Sequence, residues 1–163
     1  MQAKISPFLW STQEAGEAAT HYASIFPDSR VTRVTALPSD TPSGPAGSVK
    51  VVEFVLFGQP FMAISAGPLD AFNHAVSFVV KCETQAEIDR YWSGFVEAGG
   101  KAEQCGWLQD RYGLYWQIVP SRLGEMMSDP DRAKAKRAAD AMLKMQKFDI
   151  AALEAAYAGN PPR

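Results

Sequence analysis

The feature that most constrains this chain is an internal repeat. Each half reads strand, helix and then two or three strands. When the first half is shifted by seventy residues, the inward stripes of the two helices superimpose: Ala18 on Ile88, Tyr22 on Trp92, Ile25 on Phe95 and Phe26 on Val96. Two such units bury faces that neither half can cover alone. The repeat therefore predicts an α+β fold, in which two βαβββ-type modules form a curled mixed sheet around a cleft, followed by C-terminal helices.

The 163 residues predict one domain, 1–163, with module one at about 1–67, module two at about 75–120 and a helical tail at 121–158. Apolar residues at helical spacing indicate helices over 12–26, with a capping box of Ser11 and Glu14, and from the capping box of Thr84 and Glu87 onward. Strands are predicted at 4–10, 30–37, 49–57, 60–66, 75–82, 102–108 and 114–119. Tail helices are predicted at 121–127, 131–145 and 150–157.

The overall charge and apolarity exclude several classes of function. The net charge is −2 and the pI is near 5.7, which argues against a nucleic-acid binder. No apolar stretch is long enough to span a membrane, and residues 1–10 do not resemble a signal peptide. Cys82 and Cys105 do not form a CxxC motif, so we expect two free thiols in a reducing, cytoplasmic environment.

Specific motifs are spread over almost the whole chain. They are 22–27 (YASIFP), 52–54 (VEF), 58–63 (GQPFMA), 72–78 (FNHAVSF), 82–84 (CET), 104–108 (QCGWL), 110–114 (DRYGL), 116–120 (WQIVP), 141–145 (AMLKM) and 149–153 (DIAAL). In these motifs the chain resembles the vicinal-oxygen-chelate superfamily, which includes glyoxalase I, extradiol dioxygenases and the bleomycin- and fosfomycin-resistance proteins. More closely it resembles the PhnB-like branch, often labelled 3-demethylubiquinone 3-methyltransferase-like. The resemblance implies a homodimer with clefts near or across its interface.

The resemblance also implies where a metal would bind. Metal-using members draw ligands, usually His and Glu, from the first and last strands of each half. The matching positions here are Pro7, Ala63, Ser77 and Gln117. Proline and alanine side chains cannot ligate, and hydroxyl and amide oxygens are weak ligands for a divalent transition metal. We therefore expect no metal and no cofactor at this location, and a protein that binds a small, partly apolar molecule of unknown identity.

The ligand-binding candidates are aromatic and amide side chains on or beside the strands. Strand alternation puts Phe8 and Trp10 on one face, and puts Tyr115 and Gln117 on the opposite face from Trp116. An apolar pocket with a few polar groups is the usual form of a small-molecule site. The predicted ligand contacts are Phe8, Trp10, Ser77, Trp107, Tyr115 and Gln117.

One carboxylate is a weak candidate for catalysis. Glu53 is the lone acidic residue in a strand that is otherwise largely apolar on both faces. In a cleft, desolvation would raise its pKa and suit it to proton transfer, whereas at a rim it would face water. Asn73 and His74 either fix the connection between the modules through Asx-type bonds or contact a ligand at the rim.

Three alternatives to metal-free binding stay open. The first is a metal-dependent lyase or dioxygenase with ligands drawn from Glu53, His74 and Asp110. The second is a methyltransferase, although the glycines at 44–47 and 99–100 do not form the strand–turn–helix motif of a Rossmann-type site for S-adenosylmethionine. The third is an interaction module that uses the C-terminal helices.

Overall fold

The computed structural model describes residues 4–11 and 14–160. Its contacts divide the chain into two compact units, Met1–Ala71 and Phe72–Arg163. The boundary falls within the connection that the repeat predicts between residues 67 and 75. The α+β fold of two βαβββ modules and C-terminal helices is confirmed.

Module one contains β1 (Phe8–Ser11), α1 (Ala15–Ile25), β2 (Arg30–Ala36), β3 (Lys50–Leu56) and β4 (Gln59–Ser65). The strand order in its sheet is β1-β4-β3-β2. β1 runs parallel to β4, and the other pairs are antiparallel. The first and last strands of the module are neighbours, because α1 connects β1 at one edge of the sheet to β2 at the other edge, and the chain then returns strand by strand to β4.

Module two repeats this topology with β5 (Phe78–Cys82), α2 (Gln85–Val96), β6 (Lys101–Ala102), β7 (Trp107–Gln109) and β8 (Tyr115–Pro120). The strand order is β5-β8-β7-β6, with β5 parallel to β8. The two modules therefore share one connectivity, as the repeat predicts.

Three helices follow module two: α3 (Leu123–Ser128), α4 (Arg132–Met142) and α5 (Ile150–Ala158). The side chain of Asp131 caps α4 by accepting hydrogen bonds from two backbone N–H groups, and that of Asp149 caps α5 by accepting one. α5 ends at Gly159, whose φ of 88° is the left-handed conformation that glycine adopts without strain. No helix among the described residues is both long and apolar enough to cross a membrane.

Each sheet packs one face beneath its own helix. In module one the ring of Phe54 lies 6.4 Å from Tyr22 on α1 and 5.4 Å from Phe61 on β4, measured between centroids. In module two Phe95 on α2 lies 4.9 Å from Trp116 on β8. Burying each such side chain contributes about 2 kcal/mol, so these helix-covered faces form the cores of the modules.

The beginning of α1 differs from the prediction. Ser11 is not a cap, because it is the last residue of β1 and pairs with Ser65. The N-cap position is Glu14, which makes no side-chain cap bond, and the N–H of Ala15 donates instead to Ser65 Oγ at 3.2 Å. The predicted start at residue 12 lies outside the described residues. The predicted capping box of α2 is confirmed, with Thr84 and Glu87 bonded reciprocally.

The strand predicted over 102–108 is wrong. The chain turns between β6 and β7, where Cys105 and Gly106 have φ values of 57° and 78°. Their N–H groups donate to the carbonyls of Met145 and Gln146 at 2.7 Å, after α4. These backbone groups bond to the tail instead of to a neighbouring strand, and this interrupts the ladder. The glycine within the predicted strand was the signal for such a break.

Candidate functional site

Strand register sorts the candidates of module two onto one face of its sheet. Gln117 pairs with Trp107, and Tyr115 pairs with Gln109, so these four side chains project to the same side. Trp116 projects to the other side, beneath α2. We call the side away from a module's own helix its far face. The predicted alternation of Tyr115 and Gln117 against Trp116 is confirmed.

Ser77 joins this far face through a hydrogen bond. It immediately precedes β5, and Gln117 Nε2 donates to its Oγ at 2.9 Å. The bond joins the residue that precedes the first strand of the module to the last strand. The Ser77 hydroxyl hydrogen and the Gln117 carbonyl keep further bonding capacity, so the pair can still recognise a polar group.

His74 lies against the same aromatic residues. Its ring centroid is 3.9 Å from that of Tyr115 and 5.9 Å from that of Trp107. Its Nε2 lies 2.9 Å from Glu103 Oε2. The neighbouring Asn73 accepts a hydrogen bond from the N–H of Ala75 at 2.8 Å, an Asx-type turn that fixes the chain beside His74.

An open groove begins at these side chains. We call it the His74 groove; its volume is about 610 Å³ and it is lined by His74, Ala102, Glu103, Gln104, Cys105, Trp107 and Gln146. It lies at the interruption between β6 and β7. Sequence reasoning missed Glu103, because a continuous strand was predicted there and no turn placed its carboxylate near His74. The groove combines an indole surface with an imidazole and a carboxylate.

In module one, Phe8 and Trp10 lie on the far face. They pair in register with Met62 and Ile64 of β4, whereas Leu9 between them is buried. Phe8 is 51% exposed. Trp10 is held in place, since its Nε1 donates to the carbonyl of Gly67 at 2.9 Å. The alternation is as predicted, and their contact with a ligand stays a prediction.

Glu53 also lies on the far face of module one, in register with Met62. Its partner across the sheet is Arg33, whose Nε donates to Glu53 Oε1 at 2.9 Å. The carboxylate therefore sits in a cross-strand ion pair, with its side chain 31% exposed. This arrangement favours the rim interpretation of Glu53 over a role as proton acceptor.

One of the positions matched to metal ligands, Ala63, lies on the helix side of its sheet. Ala63 is 3% exposed and pairs with Leu9 and Val52, both buried on the helix side of the sheet. The side chains of β4 that project to the far face are those of Met62 and Ile64. A one-residue change of register reverses the face of a strand residue, so the far-face positions of β4 beside Ala63 are Met62 and Ile64.

The alternative metal ligands do not meet. Asp110 is 4% exposed, and its carboxylate accepts three hydrogen bonds, one of them from Nε1 of Trp116 on the helix side of the sheet. His74 lies on the far face, and Glu53 is paired with Arg33. Over residues 4–11 and 14–160, no three His, Cys, Asp or Glu side chains are grouped so that they could hold one metal ion.

The residues that begin α2 do not fit S-adenosylmethionine in a Rossmann-type site. Such a site needs a glycine-rich turn between strand and helix. Here Glu83 and Thr84 form the turn, and their N–H groups donate to the carboxylate of Glu87 at 2.6 and 3.3 Å. The helix N-terminus is therefore occupied by its own acidic side chain, and carries an additional negative charge from Glu83.

A second groove, of about 360 Å³, lies in the helical tail. It is lined by Arg137, Asp140, Ala141, Lys144, Met145, Ala152 and Ala156. Arg137 donates to the carbonyls of Ala156 and Tyr157 at 3.1 and 2.8 Å, which binds α4 to the end of α5. Its guanidinium is thus part of the helix packing. The His74 groove is the better candidate, because it joins aromatic and titratable groups of the far face.

The sequence matches the family described as 3-demethylubiquinone-9 3-methyltransferase over residues 3–119. No protein with a curated description matches the sequence.

The chain is also similar to solved structures. A protein from Bacillus cereus, titled a putative 3-demethylubiquinone-9 3-methyltransferase and PhnB protein, is 29% identical, with a TM-score of 0.64 over 73% of this chain and 100% of its own. The protein PA1353 from Pseudomonas aeruginosa is 21% identical, with a TM-score of 0.54 over 72% of this chain and 96% of its own. The fosfomycin resistance protein FosX from Listeria monocytogenes is 12% identical, with a TM-score of 0.56 over 79% of this chain and 99% of its own. The latter two show a shared fold alone.

Proposed function

The chain belongs to the family described as 3-demethylubiquinone-9 3-methyltransferase, in the PhnB-like branch of the vicinal-oxygen-chelate superfamily, and from this membership we propose that it binds a small, partly apolar molecule without a metal ion. The binding surface is the far face of module two. We do not propose methyl transfer, although the family's description names it. Function depends on the site, and one scaffold hosts many chemistries.

One observation carries this proposal. Four of the six predicted ligand contacts, Ser77, Trp107, Tyr115 and Gln117, come from three separate segments and share one far face. Trp107 also lines an open groove there, and Tyr115 is buried beneath the His74 ring. Aromatic surface supplies most of the binding energy for a small apolar ligand, and a few placed polar groups orient it. The Ser77–Gln117 pair and His74 supply those polar groups.

A neutral, flat probe tests the proposal directly. We expect 4-nitroanisole to bind with measurable heat in calorimetry, and Trp107→Ala to weaken the affinity about tenfold, the loss of one aromatic contact. Tyr112→Ala is the matched control, because Tyr112 is a half-exposed aromatic of the same module that contacts Arg111 outside the His74 groove. Equal losses for both variants, or no binding by the unaltered protein, would reject the proposed site.

Metal dependence is tested separately. The alternative of a metal-dependent lyase or dioxygenase requires an ion in near-stoichiometric amount that survives dialysis. We propose that elemental analysis finds none, because Glu53 and Asp110 are committed to Arg33 and to the donors around Trp116. A retained transition metal would favour the alternative and would make His74 the first candidate ligand.

We also propose that the chain forms a homodimer. The supporting observation is apolar surface: Phe8, Val34, Val76 and Val79 are each more than half exposed, at 51%, 55%, 64% and 53%. Family membership is the main ground for a dimer, and a symmetric interface is a place where such side chains would be covered. Light scattering after size-exclusion chromatography measures the mass in solution, and a monomer at high concentration would count against the dimer.

A cytoplasmic location is the last part of the proposal. Cys82 and Cys105 are both free thiols, which is typical of a reducing compartment. Fractionation of cells that express the full-length protein tests this directly.

A further inference from the structure

We propose that His74, positioned by Glu103, accepts the proton of an acidic hydroxyl on a flat ligand in the His74 groove. The ligand class is a phenol or an enol whose oxygen becomes an anion on binding. This inference rests on the proposed function, since it requires a ligand on the far face of module two. It adds the chemistry that the family description and the metal-free binding site leave open.

The hydrogen bond to Glu103 fixes the state of the imidazole. Glu103 Oε2 lies 2.9 Å from His74 Nε2, so the neutral ring keeps its hydrogen on Nε2 and donates it to the carboxylate. The lone pair is then on Nδ1, the nitrogen that can accept a proton. A carboxylate that orients a histidine in this way also stabilises the imidazolium that forms.

Rigid elements hold both groups. Tyr115 is buried at 8% exposure on β8, and its ring supports that of His74 at a centroid distance of 3.9 Å. Glu103 is held by the turn after β6, where its N–H donates to the carbonyl of Trp107 at 2.8 Å. A positioned proton acceptor needs such support, because small displacements weaken proton transfer.

The remaining surface of the groove favours a flat ligand. Trp107 lies 5.9 Å from His74 between ring centroids, and both side chains line the groove together with Ala102, Gln104 and Gln146. An indole and an imidazole offer π surface to a planar ring, and the glutamines offer hydrogen bonds at its edge. A hydroxyl on that ring can then approach Nδ1.

The proton transfer balances without any other reactant. The O–H bond of the ligand breaks, its electron pair stays on oxygen, and the proton forms an N–H bond at Nδ1. The products are an oxyanion and an imidazolium, and the imidazolium lies between the oxyanion and the Glu103 carboxylate. The titratable groups facing this position are Glu103, the phenol of Tyr115 and the thiol of Cys105.

A chromophoric phenol and its methyl ether separate binding from proton transfer. We expect 4-nitrophenol, which absorbs differently as a phenol and as a phenolate, to show a larger phenolate fraction when bound than when free at the same pH. In His74→Gln the ratio of phenolate to phenol should fall about tenfold, the effect of removing one neighbouring cation. Glu103→Gln should lower the ratio less, because it removes the positioning group and keeps the imidazole.

4-Nitroanisole has no acidic hydrogen, so His74→Gln should weaken its binding only through the loss of the imidazole surface, whereas the phenolate fraction of bound 4-nitrophenol reports the proton transfer separately. The matched control is His21→Gln, since His21 is the other histidine of the chain, half-buried on α1. If both probes bind but the phenolate fraction is the same in His74→Gln, the inference is wrong and the proposed function stands. If neither probe binds the unaltered protein, both are wrong.

Discussion

The indole of Trp116 donates a hydrogen bond from Nε1 to Oδ2 of Asp110 at 2.9 Å, inside the hairpin of β7 and β8. The other carboxylate oxygen accepts the N–H groups of Tyr112 and Leu114 at 2.8 and 3.0 Å. Asp110 is 4% exposed, so three donors replace the water that this carboxylate loses on folding. One buried acid thereby fixes both the hairpin turn and the orientation of a core indole.

Asp110→Asn should destabilise the protein by about 2–4 kcal/mol, because an NH₂ group would face either the indole N–H or the two backbone N–H groups. Chemical denaturation measures this free energy of unfolding. Asp70→Asn, at an exposed position, is the control and should change stability by less than about 0.5 kcal/mol. Equal effects of the two variants would contradict the assignment of Asp110 to the hairpin.

Gly106→Ala should lower the free energy of unfolding by more than the positive φ at this position explains. A Cβ there would lie 2.5 Å from the ring of Phe148 and 2.6 Å from the carbonyl oxygen of Ile118. Gly47→Ala is the matched control, since its φ of 83° is close to the 78° of Gly106 but no atom lies within 4 Å of the added carbon. In denaturation experiments we expect Gly47→Ala to lower the free energy of unfolding by about 1 kcal/mol, and Gly106→Ala to lower it by a further ~1–3 kcal/mol.

Glu53 and Arg33 should show a small coupling energy. Both side chains reach solvent, at 31% and 65% exposure, so the ion pair is screened. A double-mutant cycle of Glu53→Gln and Arg33→Gln should give a coupling of less than about 1 kcal/mol. Binding of 4-nitroanisole should be the same in all four proteins. If Glu53→Gln alone lost the binding of 4-nitroanisole, Glu53 would again be a candidate ligand contact.

The two thiols should differ in reactivity. Burial raises the pKa of Cys82 to about 12, and the carboxylates of Glu87 and Glu83 act in the same direction. Since the thiolate is the reactive form, it is roughly 1000-fold scarcer than in a thiol of ordinary pKa. A disulfide reagent at mildly alkaline pH should modify Cys105 in the folded protein and Cys82 only as the protein unfolds. Rapid modification of two thiols in the unaltered protein, or of the remaining Cys82 in Cys105→Ser, would contradict the burial of Cys82.

The contact between Tyr157 and Asp129 should make stability depend on acid pH. The hydroxyl of Tyr157 donates to Asp129, and this bond, followed by that from the N–H of Asp131, lowers the pKa of the carboxyl. A lowered pKa in the folded state stabilises the fold above the ordinary range of aspartate, and the gain is lost as pH falls through the lowered value. Tyr157→Phe should therefore have a lower Tm than the unaltered protein at about pH 7, and the two Tm values should converge at about pH 2. A difference in Tm that is constant over this range would reject the link, and Tyr112→Phe serves as the control.

Much of the fold could be predicted because its signals are local. Helical spacing places Ile88, Trp92 and Phe95 on the inward face of α2, and all three are buried. The capping box of Thr84 and Glu87 lies within four residues, so sequence alone was enough. Ser11 failed as a cap for the opposite reason: its partner is Ser65, and pairing between distant strands overrides a local capping signal.

The candidate site could be predicted only in part. Alternation placed Tyr115 and Gln117 together because strand residues two apart always share a face. The pairing of His74 with Glu103 joins residues 29 apart in sequence and depends on the turn at Cys105 and Gly106. No local sequence pattern predicts the path of the chain through that turn. The face of Ala63 could not be read from the match to metal ligands, because one step of register moves a strand residue to the other face.

The short strands β6 and β7 make the two modules unequal. They have two and three residues, whereas their counterparts β2 and β3 have seven each. The shorter ribbon still contributes to the helix-covered core of module two, because Leu108 on β7 is fully buried beside Trp116, as Phe54 on β3 is in module one. Repeated modules can therefore differ in the length of one strand pair. The space beside the shorter pair is then open to a new site while the protein still folds.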